Sequence, residues 1–184
     1  MVDETRNDLL EDILAATLTG GSADNISGGI IDYNDSLTAV TPISVPSGLV
    51  DVDITNDGLG SFTNKTYAPV GVTDIWDSNT NLFDFSQLSL GDMIDIRLDL
   101  SVTTTSPNQL VEIDLILAIG GGQYSIPFSR NVYKNASAQN VNRYNGIYMG
   151  DLNTLNNPAK FTVRSDSPAL VVVNGWYCKV LKRG

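Results

Sequence analysis

The most regular stretch of the chain is MIDIRLDLSVTTT, where Ile94, Ile96, Leu98, Leu100 and Val102 alternate with Asp95, Arg97, Asp99, Ser101 and Thr103. A period of two sends one set to a core and the other to water, so the segment predicts a half-buried β-strand. After SPNQ the pattern resumes in LVEIDLILAIGG, with Val111, Ile113, Leu115, Leu117 and Ile119 on one face. The opposite face begins with Glu112 and Asp114 and turns apolar at Ile116 and Ala118, which predicts cover over that second half by the other sheet or a neighbouring subunit. GGGQYSIPF predicts a turn and a further strand, and the polar stretch from Asn131 to Asn145 predicts a long loop before a short strand, GIYMG. PAKFTVRSD and PALVVVNGWYCKVL predict the closing strands.

The last of these has apolar residues on both faces, at Leu170, Val171, Val172 and Val173, so both faces are expected to be covered. Charges that would blunt an exposed edge come only near its exit, at Lys179, Lys182 and Arg183. This predicts an interior strand.

Before Ile30 the period is different. Leu9, Leu10, Ile13, Leu14 and Leu18 fall at helical spacing, with Asp3 or Thr5 as cap, acidic residues in the first turns, and Gly20 and Gly21 as a stop. The small-residue run GGSADNISGG that follows predicts a flexible linker. A helix of about four turns is not stable alone, so this one must dock on its own domain or on a partner. Residues 1–29 are therefore expected to form a helical arm with its linker, and residues 30–184 a β-domain. From there on Gly, Pro, Asn and Asp punctuate short β-type runs, which predicts an all-β sandwich of jelly-roll type.

Composition narrows the functional classes. The chain has 184 residues and a formal net charge of −10. An acidic surface argues against nucleic acid or an anionic membrane as partner, since both demand a basic footprint. There is no histidine, which removes the commonest general base, the commonest metal ligand and the Ser-His and Cys-His nucleophile systems. The single cysteine, Cys178, lies at an alternating strand position and is expected to be a small buried apolar residue. The start of the chain, MVDETRNDLLEDILAATLTGG, lacks a basic region and a continuous apolar run, so no secretory signal is expected. No stretch approaches the length of a transmembrane helix.

Candidate chemistry is sparse. Asp51, Asp53 and Asp57 in DVDITNDG offer hard oxygen ligands for calcium, but the glycine position and the missing glutamate depart from an EF-hand loop, and TNDGLG is expected to be a structural turn. Asp95, Asp99, Glu112 and Asp114 offer a carboxylate pair across adjacent strands; the same residues also suit the wet face of a hairpin, with Arg97 relieving their repulsion. GGGQ at Gly120 to Gln123 lacks the Lys-Ser/Thr of a phosphate loop and reads as a turn. Tyr124, Phe128, Tyr133, Tyr144 and Tyr148, interleaved with Arg130, Lys134 and Arg143, offer stacking surface for a glycan or base, or else core and intersubunit contact. No catalytic site, metal or cofactor is expected, and the chain is not expected to be an enzyme.

The succession NDGLGSFTNKTYAPVGVTDIWDSNTNLFDFSQLSLGDMIDIRLDLSV, then a long hairpin, then AKFTVRSDSPALVVVNGWYCKVLKRG, resembles the tumour-necrosis-factor-like jelly rolls in virion proteins of tailed bacteriophages. FDFSQLSLGD and the terminal VNGWYCKV carry most of the likeness, which covers roughly Asp51 to Arg183. The resemblance implies a homotrimer with the final strand near a threefold axis, where Trp176, Tyr177 and Val180, with Ile116 and Ala118, would meet their copies. It implies a head decoration or cement protein on the outer capsid surface, made in the host cytoplasm and carried on the virion. Its partner would be the major capsid protein, with Leu9, Leu10, Ile13, Leu14 and Leu18 as anchoring arm. A second expectation is a trimeric receptor-binding tip of a tail or head fibre that recognises a host glycan or receptor.

Overall fold

In chain order the strands are β1 (Ser27–Asn34), β2 (Ile43–Val45), β3 (Val52–Asp53), β4 (Trp76–Asp77), β5 (Leu82–Phe83), β6 (Met93–Thr104), β7 (Gln109–Leu117), β8 (Tyr124–Tyr133) and β9 (Ala138–Tyr148). The helix α1 (Leu152–Asn156) and the strands β10 (Lys160–Ser165) and β11 (Ala169–Lys182) follow. They come from a computed structural model that describes residues 27–183. The expected arm helix, with Leu9, Leu10, Ile13, Leu14 and Leu18, lies outside the described residues.

Two antiparallel sheets face each other. The first runs β1-β11-β6-β9, with β2 also paired to β11, and the second runs β3-β10-β7-β8; β4 and β5 form a small separate ribbon. Long strands consecutive in sequence lie in opposite sheets at β6 to β7, β8 to β9 and β10 to β11. That crossing pattern is the jelly-roll arrangement that the spacing of the β-type runs predicted.

The alternation of β6 is obeyed throughout: Ile94, Ile96, Leu98, Leu100 and Val102 are fully buried. β11 is interior, as expected, held by β1 and β2 on one side and β6 on the other. Its cover is different from the expectation. Ala169, Val171 and Val173 point into the core, whereas Leu170 is exposed and Val172 half-buried, because nothing among the described residues lies over the outer face of this sheet.

Further along β11 the inward set changes parity, to Trp176, Cys178 and Val180. A strand changes parity only by taking in an extra residue, and the register with β6 shifts between Val173 and Gly175. A Cβ at Gly175 would sit 2.5 Å from the Tyr33 carbonyl oxygen, so only glycine lets β1 close against this bulge. The freed backbone is satisfied locally. The Val173 N–H donates to Thr38 Oγ1 at 2.7 Å, and the Asp35 N–H to the Asn174 carbonyl at 3.3 Å.

Three expectations are corrected. Ser27, Gly28 and Gly29 are strand residues paired with Lys182, Leu181 and Val180, not linker. Gly29 is there for close approach, since a Cβ would lie 2.4 Å from the Pro69 nitrogen. Most of the polar stretch 131–145 is strand, forming the end of β8 and most of β9. It hides no alternation because β9 edges its sheet and buries little beyond Val141 and Ile147. The short helix α1 was not foreseen, although Asp151 caps it by accepting the Thr154 N–H at 2.8 Å.

The core centres on Trp176, which meets Trp76 edge-on at 4.5 Å between ring centroids and lies 5.7 and 5.8 Å from Phe83 and Phe161. Replacing Gly175→Ala is expected to cost about 1–3 kcal/mol, through the forced displacement of β1. Urea unfolding checks this; a midpoint within error of the wild type would show that the bulge tolerates a side chain.

Candidate functional site

The four carboxylates considered as a pair do not form one cluster. β6 and β7 lie in opposite sheets, so Asp95 and Asp99 are on the outer face of the first and Glu112 and Asp114 on the outer face of the second. The expected hairpin does not exist because the SPNQ connection crosses between sheets.

On the second sheet, strand register builds a ladder of charge. Arg164 of β10 and Arg130 of β8 stand directly opposite Glu112 of β7. Arg164 Nε donates to Glu112 Oε2 at 2.6 Å and Arg130 Nε approaches Oε1 at 2.7 Å. Arg164 also reaches Asp114 at 3.3 Å and Asp51 at 3.6 Å, while Lys160 pairs with Asp53 at 2.7 Å. Glu112 and Asp114 are only 7% and 8% exposed. Burial raises the Asp114 carboxyl above its ordinary value, with Arg164 opposing and the Glu112 charge adding to the rise. Each acid of this network lies near a cation, but Arg164 is shared by Glu112, Asp114 and Asp51, so four acids face three cations.

Asp51, Asp53 and Asp57 do not converge either. The first two belong to that ladder. Asp57 accepts from the Ser36 N–H and Oγ, at 2.9 and 2.6 Å, and from the Leu59 N–H at 2.9 Å. Burial works to raise its carboxyl, but these hydrogen bonds outweigh it and hold it below the usual range. The neighbouring Asn56 is buried, donates to the Tyr33 carbonyl at 2.9 Å and accepts the Gly58 N–H at 2.7 Å. The TNDGLG segment is thus a turn anchored by Asn56. Among the described residues no group of three or more Cys, Asp or Glu side chains is placed to hold a metal ion.

GGGQ is a turn pinned by α1: the Gly122 N–H donates to Asn153 Oδ1 at 2.8 Å, and Asn153 Nδ2 returns a bond to the Gly122 carbonyl at 3.0 Å. Cys178 is fully buried, and burial pushes its thiol well up. The aromatic group is dispersed. Phe128 and Tyr133 are core, Tyr124 bonds Thr154 across the turn at 2.9 Å, and Tyr144 and Tyr148 stand exposed on β9.

The residues named for a threefold contact also separate. Trp176, Val180 and Ala118 are buried inside the subunit, Ala118 in a left-handed turn just past the end of β7. Surface already spent in one core is not available to another chain. This corrects their assignment; the bulge in β11, which sequence spacing did not reveal, is what turns Trp176 inward. Tyr177 and Ile116 are half-buried, on outer faces of different sheets.

What the first sheet does present outward brings Tyr144, Tyr148 and Tyr177 onto one face with Met93 and Leu181. Leu181, Met93 and Tyr148 are cross-strand neighbours on its outer face, and two steps away Tyr177, Arg97 and Tyr144 form a parallel row. The Arg97 guanidinium lies 5.1 Å from the Tyr177 ring centroid. A hydrogen bond to Asp95, followed by burial and the Asp95 charge, pushes the Tyr144 phenol up to about 12. Ile30 from β1, with Leu170 and Val172 from β11, extends the same face. The signal for it was available in the outward positions of β6 and β9, had the polar stretch been read as strand.

No protein-family model matches the chain. No curated protein matches it. Solved structures do match in outline: the VP2 subviral particle of infectious bursal disease virus, at 11% identity over 88% of this chain and 34% of that one, has a TM-score of 0.44. The Eiger TNF from S. frugiperda, at 8% identity, covers 86% of this chain and 93% of its own, with a TM-score of 0.38. The CBM22-2 xylan-binding domain of Paenibacillus barcinonensis Xyn10C, at 10% identity, covers 84% and 98%, with a TM-score of 0.38. The chain spans about a third of the length of the virus protein it matches. These similarities carry no argument about activity or partner.

Glu112→Ala should destabilise by about 2–3 kcal/mol, since two guanidinium groups lose their shared partner. For Asp114 the folded value is raised above the unfolded one. The stability its protonated form provides is therefore complete at acid pH and lost as pH rises through the folded value. Asp114→Asn, which mimics that form, should match the wild type in acid and gain on it as pH rises past the ordinary carboxylate range. Thermal melts of the two proteins across pH check the sign; a constant difference would refute it.

Proposed function

We propose that this chain is a structural protein of a virus particle, a head decoration protein of a tailed bacteriophage that binds the outer capsid surface as a homotrimer and stabilises it. The observation that carries the reading is the uncovered outer face of the first sheet, where Ile30, Met93, Tyr144, Tyr148, Leu170 and Val172 gather around the central strand β11. Elsewhere, as on the second sheet, outward charges are paired within the subunit. A face that carries apolar and aromatic side chains at both ends, with Asp95, Arg97, Asp99 and Lys179 between them, suits contact between copies, and a closed ring covers it without leaving an open end. The resemblance in FDFSQLSLGD and VNGWYCKV supports the same assembly.

In this reading the trimer is synthesised in the host cytoplasm and attaches to the major capsid protein through three arms bearing Leu9, Leu10, Ile13, Leu14 and Leu18. Three weak contacts on one rigid body raise each other's effective concentration, so attachment needs no tight single site. The mechanism is binding, with no turnover, cofactor or metal, and no nucleic acid or membrane as partner. The second reading, a receptor-binding tip, rests on the exposed Tyr144 and Tyr148 of β9, with Arg97 of β6 opposite Tyr144 on the same face.

The double replacement Met93→Asp, Tyr148→Asp is expected to leave a folded monomer, by sedimentation and circular dichroism, where the wild type is a trimer. A variant that stays trimeric places the contact elsewhere. Cryo-microscopy of virions tests location: density on the capsid shell is expected, and density at a tail tip would overturn decoration in favour of receptor binding.

A further inference from the structure

Between β3 and β4, residues 54–75 form a long connection with no helix or named strand, and it lies along the free edge of β1. Four backbone hydrogen bonds hold it there: Ile30 N–H to the Tyr67 carbonyl at 2.7 Å, Asp32 N–H to Asn64 at 2.8 Å, Asn64 N–H back to Asp32 at 2.9 Å, and Gly60 N–H to Asn34 at 2.8 Å. Two glycines permit this closeness. A Cβ at Gly29 would strike Pro69 at 2.4 Å, and one at Gly60 would strike Asn34 at 2.8 Å. The connection is therefore fixed to the sheet edge and fills the place of a further strand.

A segment so well fixed has an unusual outer side. Leu59, Phe62, Tyr67 and Val70 are 77%, 79%, 69% and 89% exposed, which makes them four of the five most exposed large apolar side chains among the described residues. Backbone bonds to β1 hold these side chains in place without covering them. Such a concentration needs an occupant.

The chain itself brings one to the spot. Residues 1–26 join β1 at Ser27, and Gly29 and Ile30 already touch Pro69 and Tyr67. The upstream sequence carries the stripe Leu9, Leu10, Ile13, Leu14 and Leu18, whose helix cannot stand alone. The stretch from Leu18 to Ser27 reaches up to about 30 Å when extended. A helix over 5–18 is about 21 Å long, so the stripe can return along the connection. Charge agrees at one point: Asp3, Glu4, Asp8, Glu11 and Asp12 outnumber Arg6, while Lys182 sits at the patch with its Nζ 3.3 Å from the Val70 carbonyl; Lys65 nearby is already paired with Asp74.

We infer that residues 5–18 fold back as a helix onto the outer side of the 54–75 connection of the same chain, burying the leucine and isoleucine stripe against Leu59, Phe62, Tyr67 and Val70. This is a property of the free protein and holds whether or not the particle reading does. If that reading holds, the shell competes with this surface for the stripe, and attachment weakens by the fraction of time the arm is docked at home.

Hydrogen exchange on the free, full-length protein tests it. Amides of residues 9–18 are expected to exchange at least about tenfold more slowly than in an unstructured peptide, and to lose that protection in Leu14→Asp and equally in the double variant Tyr67→Ser, Val70→Asp. Amides of β6 and β11 serve as the control and should not change. Exchange of 9–18 at the unstructured rate in the wild type, or protection that survives the Tyr67, Val70 variant, would overturn the inference. In a chain with Leu14→Cys and Val70→Cys, mild oxidation should give a cross-link of monomer size, with the buried Cys178 left aside. A dimer-sized product would show that the arm docks on another copy and defeat the claim of same-chain docking.

Discussion

The extra residue at Asn174 and Gly175 sets the terms for the first sheet. β11 is its central strand, and side chains along a strand alternate strictly, so a fourteen-residue strand without a bulge would turn either Ala169, Val171 and Val173 or Trp176, Cys178 and Val180 away from the core. With the bulge, both sets face inward, and Trp176 comes to the centre of a group of rings that includes Trp76, Phe83 and Phe161. The cost of interrupting the ladder is offset by Thr38, whose buried hydroxyl accepts the Val173 N–H, and by the missing side chain of Gly175, which admits the Tyr33 carbonyl. β1 is then fixed against β11, and the long connection 54–75 against β1.

From this frame the two outer faces acquire opposite characters. On the second sheet, register places Arg130 and Arg164 opposite Glu112, so its buried carboxylate is paired within the subunit. On the first, the same alternation that fills the core leaves Met93, Tyr144, Tyr148 and Leu170 outward with no layer above them among the described residues. Each exposed aromatic on that face would gain burial from a contact that covered it. The proposals of an assembly face and of a docked arm both start from that asymmetry, at two different places: one on the pleat of the sheet, one on the connection that closes its edge.

Much of the fold was legible in the residues. The alternation of β6 and β7, the interior position of β11 and the two-sheet class followed from period, length and the positions of charge. The candidate site was less legible. Trp176 and Tyr177 look alike as adjacent aromatics in WY, and only the bulge assigns one to the core and the other to the outer face. Asp95 and Glu112 look like neighbours across a hairpin, and only the crossover between sheets puts them on opposite sides of the molecule. Asn131 to Asn145 look like a loop because an edge strand with one wet face and an open flank buries too few residues to leave a period.

The sequence by itself therefore determined the class of structure, the inward residues of its regular strands and the lack of a histidine-based chemistry, since these depend on local alternation and on composition. Tertiary structure alone decided which apolar residues are core and which remain for contact. That choice depends on parity shifts, sheet crossovers and edge closures, each of which is set by residues distant in the chain, such as Tyr33 against Gly175 or Pro69 against Gly29.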